Sequence, residues 1–152
     1  MQIGDVIEDF EHPDENGDYR RLSDFLAEGP VVLFFYPQAM TYGCTRESCH
    51  FRDLATEFKE VGASRVGISA DKVDKQKEFS EKHAFDFPLL SDSKGVVAEA
   101  FGVRRARLLG NKRTTFVIGT DATLLGEFHS EVNFSSHADK ALALLRQRAS
   151  AA

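Results

Sequence analysis

The sequence has no tryptophan and only two cysteines in 152 residues. Two cysteines exclude a disulfide-built scaffold, and a chain of this length buries a core without one. Long hydrophobic runs are missing too. The longest, Val31 to Tyr36, is far too short to span a bilayer. The N-terminus lacks the basic, apolar, small-residue order of a secretory signal, so the expectation is a soluble cytoplasmic protein with no membrane partner. Positive charge is in deficit: 19 Lys and Arg stand against 24 Asp and Glu, a formal net charge of -5. A nucleic-acid binder normally presents a basic face, so nucleic acid is not an expected partner. The one basic cluster, Arg104, Arg105, Arg107, Lys112 and Arg113, is local and reads as a solvated loop, with Arg113 set apart below. No internal repeat or Gly/Pro/Ser-rich linker interrupts residues 1–152, which read as one domain.

What is present is phenylalanine, 13 in all, which predicts a Phe-rich core. Asp14-Glu15-Asn16-Gly17-Asp18 carries the Asn-Gly turn signal and predicts a small N-terminal hairpin, with one helical turn at Leu22–Leu26. Val31–Tyr36 is continuously apolar and β-prone, as a central strand covered on both faces would be. Residues 43–60 read as one helix, with Phe51, Leu54, Ala55 and Phe58 at helical spacing. A strand at 64–69, a helix at 72–83, a short extended piece at 87–90 and a short helix at 96–101 follow. Strands at 114–118 and 124–128, with Thr120-Asp121 between them, are expected to form a hairpin, and a last helix runs over 135–148, with Ser135 or Ser136 as its cap. Alternating strands and helices imply parallel pairing with helices on both faces, and the closing hairpin and helix complete a thioredoxin-like α/β pattern.

The chemistry concentrates in Pro37-Gln38-Ala39-Met40-Thr41-Tyr42-Gly43-Cys44-Thr45-Arg46-Glu47-Ser48-Cys49. This segment follows the central strand and opens the long helix, where ligand sites of open α/β sheets cluster. Unpaired N–H groups and the positive dipole end of a helix favour a thiolate, so Cys44 is expected to be more acidic than a free cysteine. Thr41 can set a hydroxyl beside the sulfur. Five residues along an ideal helix turn about 140° and rise about 7.5 Å, which puts Cys44 and Cys49 roughly 8–9 Å apart at Cα. A disulfide needs less than about 7 Å, so if the two pair, the first turns of this helix must unwind.

Pro37-x-x-x-Thr41-x-x-Cys44 resembles the active-site motif of peroxiredoxins. Cysteines five apart, Gly43 before the first, Glu47 three after it and the run Cys49-His50-Phe51-Arg52-Asp53 resemble the peroxiredoxin Q, or bacterioferritin comigratory protein, branch. Arg113-Thr114-Thr115-Phe116-Val117-Ile118 resembles its arginine-bearing strand, and the likeness extends from Gly4 to Leu145. The resemblance implies a thioredoxin-like fold with a central mixed sheet, flanking helices and an N-terminal hairpin. It implies a thiol-dependent peroxidase for hydrogen peroxide and organic hydroperoxides. Cys44 would be the peroxidatic cysteine and Cys49 the resolving one. Thr41 and Arg113 would bind thiolate and peroxide, the N–H groups of Gly43 and Cys44 would complete the cradle, and Pro37 would shield the sulfur. Glu47 would orient the arginine, or else complement the helix dipole. A thioredoxin-like protein would reduce the disulfide, and the chain would act as a monomer. No feature requires a metal, haem, flavin or nucleotide. Two positions depart from the family: Tyr42 replaces the usual proline, at the mouth of the pocket, and Gly119 stands at a turn where an acidic residue is common.

Two rival readings use the same residues. Cys44, Cys49 and His50 supply three possible zinc ligands, at a spacing that suits a structural zinc site poorly. His12, His83, His129 and His137 show no ligand spacing and read as surface residues. A disulfide exchanger or redox sensor would share the thiol chemistry, but the Cys-x-x-Cys that general exchangers favour is absent.

Overall fold

The computed structural model describes residues 1–106 and 109–151; Arg107 of the basic cluster lies outside them. The chain begins with a hairpin, β1 (Glu11–Pro13) and β2 (Tyr19–Arg21), paired antiparallel with Glu11 opposite Arg21. Asp14 closes its loop, its Oδ1 accepting from the backbone N–H groups of Asn16 and Asp18 at 2.9 and 3.1 Å. The helical turn α1 (Leu22–Leu26) follows.

The main sheet contains β3 (Val31–Phe35), β4 (Ser64–Ser69), β5 (Leu89–Ser91), β6 (Thr114–Ile118) and β7 (Leu124–His129), in the order β5-β4-β3-β6-β7. β4 runs parallel to β3 and to β5, whereas β6 pairs antiparallel with β3 and with β7. The sheet is therefore mixed, and β3 is its centre. The period of two along a strand sorts the apolar run onto two layers. Val31, Leu33 and Phe35 face a core with Leu22, Phe25 and Phe101, while Val32, Phe34 and Tyr36 face one with Phe51, Phe58 and Leu142. Stacking of Phe34 on Phe51, with ring centroids 4.1 Å apart, bears out the Phe-rich core.

The remaining helices are α2 (Tyr42–Asp53), α3 (Ala55–Glu60), α4 (Val73–His83), α5 (Val96–Ala100) and α6 (Ser136–Ala151). The expected single helix over 43–60 is thus two. Leu54 leaves helical geometry, with φ -96° and ψ 22°, and the nearby Phe51 carbonyl accepts from Arg65 Nη1 at 2.8 Å. A guanidinium that claims a carbonyl next to the break offers the backbone an alternative to the regular ladder. Ser136 does not cap α6 with its side chain; its hydroxyl donates back to the Asn133 carbonyl at 2.8 Å. Among the described residues no helix is long and apolar enough to cross a membrane.

Candidate active site

Three segments meet at the carboxyl end of β3. The first is the loop 37–41 with the start of α2. The second is Arg113, one residue before β6. The third is the connection from β7 into α6. Antiparallel pairing sets Thr114 opposite Phe35, so the residue just before β6 lies beside the end of the central strand. That register is why an arginine 69 positions away reaches Cys44.

The loop before the nucleophile is held from two sides. Ala39 N–H donates to Asp71 Oδ2 at 2.7 Å, and the Ser69 hydroxyl donates to the same oxygen at 2.6 Å. Met40 sits in the left-handed region at φ 69°, a conformation that costs a non-glycine residue of order 1–3 kcal/mol and persists where its surroundings impose it. Thr41 is the extended residue before α2, with φ -85° and ψ 161°, and its hydroxyl donates to the Gln38 carbonyl at 2.7 Å. With its hydrogen so placed, the oxygen keeps lone pairs with which to accept a hydrogen bond. Turned toward the sulfur instead, the same hydroxyl favours the thiolate.

Cys44 lies in the first turn of α2 and is fully buried. Arg113 Nη1 is 3.5 Å from its sulfur and donates to Glu47 Oε1 at 3.0 Å. Burial pushes the Cys44 thiol up, while the Arg113 charge, the Thr41 hydroxyl and the Gln38 backbone pull it down. Desolvation of the sulfur thus opposes the acidity expected from the helix start and its donors. Glu47 is wholly buried, so its contact with Arg113 is an internal ion-pair geometry and not a surface complement to the helix dipole. Burial raises its carboxyl to about 8 against the opposing pull of Arg113.

Residues without a motif complete the site. Glu131 Oε2 accepts from Arg113 N–H at 2.9 Å, and the Glu131 carbonyl accepts from Arg113 Nε at 3.3 Å. The Phe134 ring lies under the guanidinium, 4.9 Å from its carbon to the ring centroid. His137, expected at the surface, is completely buried, because it stands at the start of α6 on the side that packs against α2 and β6. Its Nδ1 is 2.8 Å from the Thr115 hydroxyl and 3.4 Å from Glu47 Oε2. Spacing offered one signal for it: His137 precedes Ala141 and Leu145 by four and eight, on the apolar face of α6.

The other expected site residues fall around this centre. Pro37 lines an open cleft of about 610 Å³ with Gln38, Asp71 and Asn111, which Cys44 does not line. Cys49 lies further along α2, partly exposed, beside a cleft of about 450 Å³ shared with Arg46, Val132 and Phe134. Both cysteines are free thiols on one unbroken helix. Tyr42 is 71% exposed; its ring meets Phe134 edge-on, and its hydroxyl accepts from Arg46 at 3.0 Å. His50 pairs with Asp139 at 2.7 Å.

The whole chain has counterparts among known proteins. The AhpC/TSA family matches residues 3–125. A crystal structure of peroxidoxin BcpB from Mycobacterium tuberculosis is 60% identical, with each chain covered to 97% and a TM-score of 0.94. The chain belongs to the Bcp/PrxQ branch of the peroxiredoxins. Peroxiredoxin Bcp of Escherichia coli K12 is 36% identical over 155 residues, covering 98% of both chains. A bacterioferritin comigratory protein of Xanthomonas campestris, whose structure concerns alkyl peroxide reduction, is 32% identical over 92% of each chain, with a TM-score of 0.84. The mixed sheet, flanking helices and N-terminal hairpin are thus the thioredoxin-like fold of a peroxiredoxin, and the chain is a thiol peroxidase of this branch.

Proposed function

We propose that this peroxiredoxin works by a two-cysteine cycle confined to α2. The approach of Arg113 Nη1 to the Cys44 sulfur, 3.5 Å inside a buried site, carries the reading. The Cys44 thiolate attacks one peroxide oxygen. A sulfur–oxygen bond forms as the oxygen–oxygen bond breaks, giving Cys44 sulfenic acid and an alkoxide or hydroxide that takes up a proton as alcohol or water. Arg113 carries the charge that develops on the leaving oxygen, with several fixed donors on a permanently charged group. The Thr41 oxygen accepts the peroxide O–H, and the N–H groups of Gly43 and Cys44 receive the oxygen. Glu47 and Tyr42 act at one remove, through Arg113 and Phe134.

Cys49 then attacks the sulfenic sulfur, expelling water and leaving an intramolecular disulfide. Both residues lie on α2, so this step requires the first turns of α2 to unwind. A thioredoxin-like dithiol in the cytoplasm restores the thiols by exchange. The chain acts as a single-domain monomer. A free-thiol count with intact mass, before and after one equivalent of hydrogen peroxide, tests the cycle. Loss of both thiols within seconds, with the mass of two hydrogens, is expected. Oxidation that consumes one thiol and adds one oxygen without further change would remove Cys49 from the cycle.

A further inference from the structure

Next to Arg113, three buried polar side chains form a chain of contacts. They are Glu47 on α2, Thr115 on β6 and His137 on α6. Nothing in the peroxidase cycle above uses His137. Its Nε2 is 2.8 Å from the Ser130 carbonyl, which can only accept, so Nε2 carries the hydrogen. In a neutral ring Nδ1 is then a bare lone pair. It faces the Thr115 oxygen at 2.8 Å and Glu47 Oε2 at 3.4 Å.

The hydrogens can be counted. Glu47 Oε1 is served by Arg113, but Oε2 is buried without a hydrogen-bond partner. A carboxylate Oε2, a bare Nδ1 and the Thr115 oxygen share one hydrogen, that of the threonine. Two lone pairs then face each other out of water, which is costly. One further proton removes the conflict. Placed on His137 it makes a second buried cation that shares the one Glu47 carboxylate with the Arg113 guanidinium, and the desolvation of two buried cations opposes that state. Placed on Glu47 it leaves both groups neutral.

We infer that Glu47 is a carboxylic acid facing a neutral His137, so that the Arg113 charge is left to the Cys44 sulfur and its peroxide. His137 is on this account a positioning residue for the peroxidase reaction. The inference rests on the role of Arg113 given above. The directions agree: burial lifts the Glu47 carboxyl to about 8, and burial with the nearby Arg113 and His129 lowers His137 to about 4. The titratable groups around the imidazole are Glu47 from α2, Arg113 from the start of β6, and His129 and Glu131 from the end of β7. Glu131 lies 3.0 Å from His129 and 3.5 Å from Arg105, so its carboxylate is already engaged outside the Glu47–His137 contact. An ionised Glu47 would draw the guanidinium between two anions and raise the cost of the thiolate.

The test begins with the reduced protein unchanged. Imidazole nitrogen and carboxyl carbon NMR at pH 6.5 is expected to show His137 as the neutral Nε2–H tautomer and Glu47 protonated. An imidazolium at His137, or an ionised Glu47, overturns the inference. The second arm uses His137→Gln in a Cys49→Ser background, where the amide donates to Oε2 and favours the carboxylate. Thiolate absorbance of Cys44 should titrate about one pH unit higher, with a roughly tenfold slower single attack at pH 7. An unmoved titration overturns it, because a merely structural His137 would change stability and leave the thiol alone. If peroxide fails to oxidise Cys44 in the parent, the two-cysteine reading fails, while the NMR result stands by itself.

Discussion

The Phe134 ring occupies the space that a Cβ on Gly43 would need. A Cβ built there lies 2.6 Å from Phe134 Cε1 and 3.0 Å from Arg113 Nη2. Gly43 is helical and carries no positive φ, so its requirement is close approach and not backbone freedom. Phe134 also supports the guanidinium from below. Gly43→Ala should therefore displace the ring and, through it, Arg113. The expected cost is about 1–3 kcal/mol of stability, from overpacking, together with slower peroxide consumption. Urea unfolding and an initial-rate assay check both. A variant with full rate and full stability would mean that the ring moves freely.

Among the described residues Arg113 is the one cation in contact with the Cys44 sulfur, and it faces Glu47 as well. Arg113→Ala removes a fixed donor aimed at the developing charge. Losses of about 10²–10³ in rate are typical for such a donor. The Cys44 thiol should also rise, since the charge that opposes its burial is gone. Arg113→Lys keeps the charge without the fork and should recover only part of the rate. Rapid-mixing kinetics with the Cys49→Ser variant isolates the attack step. Equal rates for all three proteins would move the role to another group.

Stability should respond to pH through the pair next to the arginine. The Glu47 carboxyl rises from 4.5 to about 8 on folding. Its contribution is fully present below 4.5 and is lost as the pH climbs through about 8. The His137 imidazole falls from 6.5 to about 4, so its contribution is present above 6.5 and is lost as the pH drops through about 4. Between 4.5 and 6.5 the two slopes oppose each other, and from 6.5 to about 8 the carboxyl acts alone. Urea midpoints should decline over that upper window in the parent. Glu47→Gln, which cannot ionise, should lack the decline; the same slope in both proteins would assign it elsewhere.

How far these features were legible depends on the range of the interactions that make them. The strand at 31–36 and the hairpin turn at Asn16-Gly17 are local, and both appear where expected, the strand as Val31–Phe35. Cys44 and Thr41 share one short segment, so a motif exposes them. Arg113 needed the resemblance, because only the antiparallel register of β6 on β3 carries it to the sulfur. Glu131 and Phe134 stand in a connection with no periodic pattern, and their roles come from tertiary packing alone. His137 was misread because a lone polar residue at a helix start looks solvated. Its burial follows from partners on two other elements. The acidity expected of Cys44 meets an opposing effect that sequence does not show, since a helix N-terminus is visible there and the burial of the sulfur is not.

Tyr42 offers the sharpest test of the unwinding step. It is the first helical residue of α2, where proline is tolerated because the first helical N–H groups have no partner within the helix. The preceding Thr41 is extended, at ψ 161°, which is the conformation a following proline demands. Tyr42→Pro should thus fit without strain and restore the residue usual in the family. It narrows the unfolded choices of the helix start and stabilises the wound form by about 0.4–1 kcal/mol. The exposed ring and its edge contact with Phe134 are lost, at the rim and away from the sulfur. If disulfide formation requires α2 to open, the step from sulfenic acid to disulfide should slow about two- to fivefold, matching that free energy. The first attack should slow by less than the second phase, since Tyr42 bears on it only through Phe134. Stopped-flow traces resolve the two phases, and amide exchange over α2 reports the opening itself. A slower second phase with slower exchange ties resolution to the helix. An unchanged second phase beside slower exchange would show that Cys49 reaches Cys44 by a movement that leaves the start of α2 wound.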